Sequence, residues 1–112
     1  MRSQKFSFEV PEVISGIDDG ARLRWRVLHD HWLTIRPLRS GLSYNPGLED
    51  SQITHQVALR FHSEIAVGGR FRKGARVMVI HSLEDVDDRH RRLVCLCQEN
   101  SPTLTGFERR LG

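Results

Sequence analysis

The sequence lacks long apolar runs and contains only two cysteines and four prolines in 112 residues. No segment approaches the roughly 18 consecutive apolar residues that a membrane-spanning helix requires, so we expect no membrane partner. The N-terminal positive charge has no apolar run behind it, which predicts synthesis in the cytosol. A chain of this length predicts one domain, residues 1–112, with a modest core.

The two cysteines, Cys95 and Cys97, lie two residues apart in an apolar segment. On a strand they would point to the same face, where an unstrained disulfide is not expected. We interpret them as small buried hydrophobic residues. A metal-binding pair is the alternative, but no second cysteine pair or well-spaced histidine pair completes such a site.

Motifs of enzyme active sites are also absent. The sequence has no Gly-x-Ser-x-Gly, no Walker-type phosphate loop and no Gly-x-Gly-x-x-Gly. One acidic cluster could suggest cation binding, but its spacing does not match an EF-hand and is typical of a polar turn. Its members are Glu84, Asp85, Asp87 and Asp88. We therefore expect a protein that is not an enzyme and that has no cofactor.

His29 and His31 give the strongest metal-binding signal in the sequence. Two residues apart on a strand, they would share a face, as a ligand pair does. The interpretation that we favour is a polar turn between strands, because Asp30 between them is a turn former. The remaining histidines are scattered along the chain: His55, His62, His81 and His90. We expect no metal site.

The dominant pattern is an alternation of polar and apolar residues, which is typical of β-strands. Residues 22–27 place Leu23, Trp25 and Val27 on one face and three arginines on the other. Five further segments read as strands: 5–10, stopped by Pro11; 31–36, ended by Pro37; 53–62; 75–80; and 92–98.

Two of these strands, 75–80 and 92–98, are apolar enough to be buried on both faces. Turn-forming residues separate the strands at 18–20, 68–69 and 85–88, and helical spacing is nowhere sustained. The pattern predicts an all-β fold, a small antiparallel β-barrel or sandwich of about six strands.

Two segments interrupt this pattern. Residues 38–52 contain two glycines, a proline and no strand period, and a loop of this length is usually functional or disordered. We predict that it forms a channel-contacting or neighbour-contacting arm through Leu38, Arg39, Leu42, Tyr44, Asn45, Leu48, Glu49 and Asp50. The tail, residues 100–112, is predicted to be a second arm, with contacts through Leu104, Phe107, Arg109 and Arg110.

The arginines of residues 22–27 are the most informative charged feature. Same-face residues on a strand lie about 6.7 Å apart, so three of them make a ridge of roughly 13 Å. The candidate contact residues are Arg22, Arg24, Arg26 and Arg36. They could meet DNA phosphates or the acids Glu84 and Asp85 of a neighbouring subunit, or form a merely solvated face. Phe and Tyr are not interleaved with them, as a single-stranded nucleic-acid platform would require, so a small nucleic-acid-binding barrel remains the alternative.

Several short motifs follow one another in order over residues 18–99. Asp18-Asp-Gly20 and Trp25 come first, and residues 54–61 read Thr-His-Gln-Val-Ala-Leu-Arg-Phe. Arg70-Phe71 and the Gly-Ala-Arg-Val-Met-Val-Ile of residues 74–80 follow. An acidic turn and the strand of residues 91–99 complete the set. This ordered set resembles the phage head-tail joining family, also called head-closure or stopper proteins. It also resembles the stopper of gene transfer agents, which are domesticated phage particles.

The resemblance implies a structural head-to-tail connector subunit that closes the DNA channel after packaging and docks the tail. The implied partners are copies of the chain itself in a ring, with a hexamer expected and a dodecamer as the alternative. Further implied partners are an adaptor or portal-side ring above, a tail terminator or tail tube below, and packaged double-stranded DNA. The implied location is the bacterial host cytoplasm during assembly and then the head–tail interface. An adaptor or tail-terminator ring subunit is the alternative.

Overall fold

The computed structural model describes residues 2–16, 20–38 and 53–100. These residues form six strands and one short 3₁₀ turn, Val86–Asp88. The strands are β1 (Ser3–Gly16), β2 (Gly20–Pro37), β3 (His55–Arg60), β4 (Arg70–Lys73), β5 (Arg76–Asp85) and β6 (Arg92–Asn100). They pair antiparallel in the order β1-β2-β3-β6-β5-β4, and the sheet closes because β4 pairs with β1. The predicted all-β barrel of about six strands is confirmed.

The core fills the inside of this barrel with the inward-facing residues of every strand. Closing the sheet removes the unpaired edges that a small open sheet would expose. The buried apolar residues are Phe6, Phe8, Leu33, Val57, Leu59, Ile65, Phe71, Met78, Ile80, Leu93, Cys95 and Cys97. Among the described residues, no helix has the length and apolar character needed to cross a membrane.

The two cysteines lie inside this core on one face of β6, as predicted, and both are free thiols. Burial raises the pKa of the Cys95 thiol to about 12. Burial and the neighbouring Cys95 also raise the pKa of Cys97. Both side chains therefore stay protonated at neutral pH and act as small hydrophobic residues.

Pro11 does not end the first strand, contrary to the prediction. β1 continues to Gly16, with Pro11 opposite Trp25 of β2. β4 pairs with β1 only over Ser7 to Glu9, so beyond that point the other edge of β1 has no strand beside it among the described residues. A proline is tolerated at a free edge because its missing N–H is not needed there.

The predicted turn at His29-Asp30-His31 is wrong. Residues 22–27 and 31–36 belong to one continuous strand, β2, which pairs with β1 along its length. The register shifts at this place: Phe8 faces His29 while Glu9 faces Val27, which leaves Leu28 as an extra residue. Such a β-bulge changes the face on which the following residues lie, and in the sequence this shift of phase resembled a break between two strands.

Two other interpretations of the sequence are corrected. β4 is a strand that the sequence pattern did not predict, because its four residues, Arg-Phe-Arg-Lys, contain a single apolar side chain. β5 and β6 are not buried on both faces, since Met78, Ile80 and Leu93 are buried while Val77 and Val79 are only half-buried. The outward face of each strand still contacts solvent.

Gly69 shows how closely the core is packed where β4 begins. A Cβ atom on Gly69 would lie 2.5 Å from Cε1 of Phe8, closer than non-bonded carbon atoms approach. The absent side chain therefore leaves the space that the Phe8 ring occupies. The Gly69 carbonyl also accepts a hydrogen bond from the Ile80 N–H at 3.1 Å, which joins this connection to β5.

The strand register gives the barrel two different ends. At one end, which we call the arm end, lie Pro37 beside His55, Lys73 beside Arg76, and the last residue of β6, Asn100. At the other end, which we call the hairpin end, β1 and β2 extend beyond the barrel. The 3₁₀ turn between β5 and β6 and the connection from β3 to β4 lie at this same end.

Candidate functional site

The arm end holds the base of both predicted arms. The Leu38 N–H donates to the Thr54 carbonyl and the Thr54 N–H donates to the Cys97 carbonyl, each at 2.9 Å. The Thr54 hydroxyl also accepts the Glu99 N–H at 2.8 Å. Leu38 and Thr54 are thus held side by side, next to the last strand, β6. The described residues that flank the two predicted arms therefore lie at the same end of the barrel.

Most of the predicted arm residues lie outside the described part of the chain. Leu38 is described and is half-buried at the foot of the first arm. The others fall within residues 39–52 and 101–112: Arg39, Leu42, Tyr44, Asn45, Leu48, Glu49, Asp50, Leu104, Phe107, Arg109 and Arg110.

An ion-pair network surrounds the base of the arms. Glu99 accepts a hydrogen bond from Arg76 Nε at 2.8 Å and lies 3.4 Å from His55 Nε2. Burial lowers the pKa of His55, Glu99 opposes this effect and Arg76 adds to it. His55 is therefore mostly neutral at pH 7, and the lasting charge pair of this network is Arg76 with Glu99.

The hairpin end carries three of the four predicted arginines. Beyond Glu9 and Val27, β1 and β2 pair only with each other within the described residues, so they form a projecting two-stranded ribbon. Glu12 lies 3.2 Å from Arg24 Nη2 and 3.7 Å from Arg26 Nε, and Arg22 is exposed beyond them. The ridge is therefore partly neutralised by one carboxylate, which makes it less suited to a chain of DNA phosphates.

Arg36 does not belong to this ridge. It lies near the arm end of β2, where its Nη2 donates to Gln56 Oε1 of β3 at 3.2 Å. The bulge in β2 separates it from the other three arginines, so the predicted set divides between the two ends of the barrel.

The opposite face of the ribbon is apolar and exposed. The exposed fractions of Val13 and Leu23 are both 65 %, and that of Val27 is 53 %. Trp25 lies between them with the Arg70 guanidinium stacked 4.0 Å from its ring centroid. The alternation predicted from the sequence is therefore correct, but its apolar face lies on the surface and not in the core. Clustered exposed apolar side chains of this kind mark interaction surfaces.

Glu9 anchors the base of the ribbon to β4, a role that the sequence did not predict. Its carboxylate accepts hydrogen bonds from Arg70 Nε at 2.7 Å and from Arg72 Nε at 2.9 Å, and the residue is only 2 % exposed. Burial alone would raise the pKa of Glu9, but the hydrogen bonds and charges of the two arginines outweigh it and lower the pKa. The only sequence signal for this role is the position of a glutamate beside the aromatic residues of β1.

The acidic cluster covers the end of β5 and the predicted polar turn that follows it at the hairpin end. Asp85 accepts the His90 N–H, at 3.0 Å to Oδ2, and Asp87 pairs with Arg91 at 3.4 Å. Asp87 and Asp88 have positive φ angles of 69° and 54°, which aspartate tolerates in tight turns. Glu84 and Asp88 stay exposed, so the turn presents negative charge to solvent.

Three histidines meet where the ribbon joins the barrel. His29 and His31 follow the bulge and face Phe8 and Phe6 across the ladder, so they point to the inward side of β2. His62, from the connection after β3, packs against His29 in a tilted arrangement with ring centroids 4.1 Å apart. Burial, with the neighbouring His29 and His62, lowers the pKa of His31 to about 4. The expectation that the histidines are scattered is therefore wrong for this group.

The comparison with family models decides the classification. The model of the phage head completion protein matches residues 3–100. The chain belongs to the phage head completion protein family. The match includes all six strands and confirms the resemblance found in the sequence motifs. Membership gives the chain a structural role in head completion, among proteins that assemble with other head and tail components, in a family that is structural in character.

Solved structures share the same fold. A chain of the virion of a native gene transfer agent particle superposes with a TM-score of 0.63 at 19 % identity, covering 89 % of this chain and 97 % of that one. Protein SF1141 from Shigella flexneri 2a, a solution structure, gives a TM-score of 0.66 at 21 % identity, with 90 % and 96 % covered. A search of the curated proteins gave no match. At these identities the structural matches establish the fold.

Proposed function

We propose that this chain is a head-closure (stopper) subunit, several copies of which form a ring that closes the DNA channel after packaging and docks the tail. The observation that carries the proposal is the difference between the two ends of the barrel in a head completion protein. One end holds the bases of two long segments, and the other projects a ribbon whose charged and apolar faces are both exposed. A ring subunit needs one surface for its neighbours and a different one for the channel and the adjoining rings, and the two ends supply both.

The ribbon is the part that we assign to contact between neighbouring copies. Its arginine ridge and the acidic turn with Glu84 and Asp88 lie at the same end of the barrel and have opposite charge. A contact between two different patches of identical subunits is heterologous, and such contacts close into a ring when the rotation permits. A hexamer is the expected ring, and a dodecamer is the alternative. The exposed Val13, Leu23 and Val27 would add apolar area to this interface.

The two segments at the arm end are assigned to the channel and the adjoining rings. Residues 38–50 would close or line the DNA path, and residues 100–112 would contact the adaptor or a neighbour. The tail terminator or tail tube would dock on the assembled ring, and the packaged double-stranded DNA would be held behind it. The subunit would fold in the bacterial host cytoplasm and enter the particle at the head–tail interface.

The proposed function is tested by making particles without this protein. We expect heads that package DNA but then lose it and that do not acquire tails, because neither the channel closure nor the docking surface is present. Electron microscopy counts tailed particles, and nuclease treatment measures the protected DNA. Supplying the wild-type protein in trans is the control and should restore both. Tailed particles with normal DNA retention in its absence would exclude the stopper function.

The neighbour contact predicts a charge-swap result. Arg22→Glu or Glu84→Arg alone should weaken ring assembly several-fold, because each puts like charges together across the interface. The two changes together in one chain should recover part of the loss. Light scattering over a concentration series measures the assembled mass. Arg36→Glu, at the other end of β2, is the matched control, and an equal loss from that change would argue against the ribbon as the contact.

A further inference from the structure

We propose that His29, His62 and Glu64 form a binding site for one divalent transition-metal ion, with His31 as the hydrogen-bonding partner of a ligand. One ligand atom from each of the first three residues lies within 4.8 Å of the others, so small side-chain rotations would bring all three to a single ion. Two imidazoles and one carboxylate are a ligand set that binds Zn²⁺ and similar ions. A water molecule would complete the tetrahedral coordination.

The backbone explains why these residues meet. The bulge at Leu28 directs His29 to the inward face of β2, where Phe8 stacks on its ring with centroids 5.7 Å apart. His62 lies two residues after the end of β3. A tight turn, closed by the Ile65 N–H donating to the His62 carbonyl at 3.1 Å, brings Glu64 back over it. A strand and a separate connection thus supply the ligands, and an ion would join them.

The existing hydrogen bonds already imitate the contacts that an ion would make. His29 Nε2 lies 2.9 Å from Glu64 Oε1, so the ligand atoms of two residues point at each other. His29 Nδ1 lies 2.6 Å from His31 Nε2. With a metal on Nε2, His29 carries its proton on Nδ1 and donates it to His31, because either nitrogen of a neutral imidazole can accept. A partner of this kind orients metal-ligating histidines.

Binding has one identifiable cost. His62 Nδ1 accepts the Glu64 N–H at 3.2 Å, and this bond ends when His62 becomes a ligand through either nitrogen. It is a long bond at an exposed turn, so a metal–nitrogen bond readily replaces it. The half-buried histidines and the exposed Glu64 leave the site open to solvent on one side, which provides an entry path.

The test is metal titration of the full, tag-free chain. Calorimetry with ZnCl₂ should give one Zn²⁺ per chain, and CoCl₂ should give the visible absorption bands of a tetrahedral Co²⁺ complex. The thermal unfolding midpoint should rise with Zn²⁺ concentration, because an ion that binds only the folded state stabilises it. His62→Ala and Glu64→Ala should each weaken binding at least about tenfold, and His31→Ala should do so by roughly ten- to a hundredfold.

The matched control is His81→Ala, since His81 bonds to Gln98 on the far strands and takes no part in the cluster. Its Zn²⁺ affinity should equal that of the wild type. Circular dichroism without metal establishes that each variant is folded. Absence of Zn²⁺ binding, or binding that His62→Ala and Glu64→Ala leave unchanged, would overturn the proposal. The site concerns the barrel itself, so its failure would leave the ring function untouched.

Discussion

Replacing Glu9 by glutamine should lower the free energy of unfolding by about 3 kcal/mol, the lower end of the range for breaking a buried ion pair, because Glu9 is buried while Arg70 and Arg72 are partly exposed. The Glu9 side chain is only 3 % exposed, and both of its oxygens accept guanidinium hydrogen bonds. A neutral amide would leave Arg70 and Arg72 without a counter-charge and would place an NH₂ group against one of them. Urea unfolding gives the free energy directly.

Glu12 provides a matched control on the same strand. It also has two arginine partners, but its side chain is 39 % exposed and its contacts, at 3.2 Å and 3.7 Å, are longer. Exposed ion pairs contribute less than about 1 kcal/mol because water already solvates both charges. Glu12→Gln should therefore have a small effect. Equal losses from the two variants would show that Glu9 does not anchor the ribbon to β4.

The same carboxylate predicts how stability depends on pH. Because the pKa of Glu9 is lower in the folded chain than its ordinary 4.5, its contribution is complete above that value and is lost as the pH falls through the folded pKa. The pKa of His31 is lowered from 6.5 to about 4, so the folded chain also loses free energy of unfolding through His31 as the pH falls from 6.5 towards 4. The difference in free energy of unfolding between the wild type and Glu9→Gln isolates the contribution of Glu9. This difference should become smaller as the pH falls.

The barrel could be predicted from the sequence because alternation and turn residues are local signals. Residues 53–62 and 92–98 read as strands from their own side chains, and their inward faces are the buried ones. The bulge at Leu28 defeated this reasoning, since one extra residue reverses the phase and imitates a turn. β4 was missed because its arginines, Arg70 and Arg72, pair with a glutamate that lies 61 and 63 positions earlier in the chain.

Long-range pairing also explains why the sequence did not show the group that His29 and His62 form. His29 and His62 meet only because β2 and the connection after β3 share one end of the barrel, and nothing in the spacing of the histidines shows this. Conversely, residues 22–27 of the exposed ribbon have the alternation of a strand whose apolar face is buried. Whether an apolar face is covered depends on the strands beside it, and here β3 and β4 do not reach far enough. The arms were predicted from composition, lie almost entirely outside the described residues, and remain predictions together with their contacts.

Deleting residues 43–49 should leave the barrel folded but produce particles that lose DNA or fail to join tails. The deletion removes half of segment 39–52, and the bonds that close the barrel at Leu38 and Thr54 lie outside it. Halving the number of residues in a loop lowers the entropic cost of closing it by only about 0.6 kcal/mol, in the direction of greater stability. The thermal unfolding midpoint should therefore be unchanged or slightly higher.

The loss in the particle should be large, because a segment repeated around a ring acts at every position of the channel at once. Nuclease-protected DNA per particle and the fraction of tailed particles are the two measurements. A variant with residues 43–49 replaced by glycine and serine at unchanged length is the control that separates length from chemistry. If Tyr44 and Leu48 make the contacts, this variant should also lose DNA and fail to join tails. If only the length of the arm matters, it should retain DNA. Normal retention and tail joining in the deletion itself would remove the arm from the mechanism and move channel closure to the ribbon or the C-terminal segment.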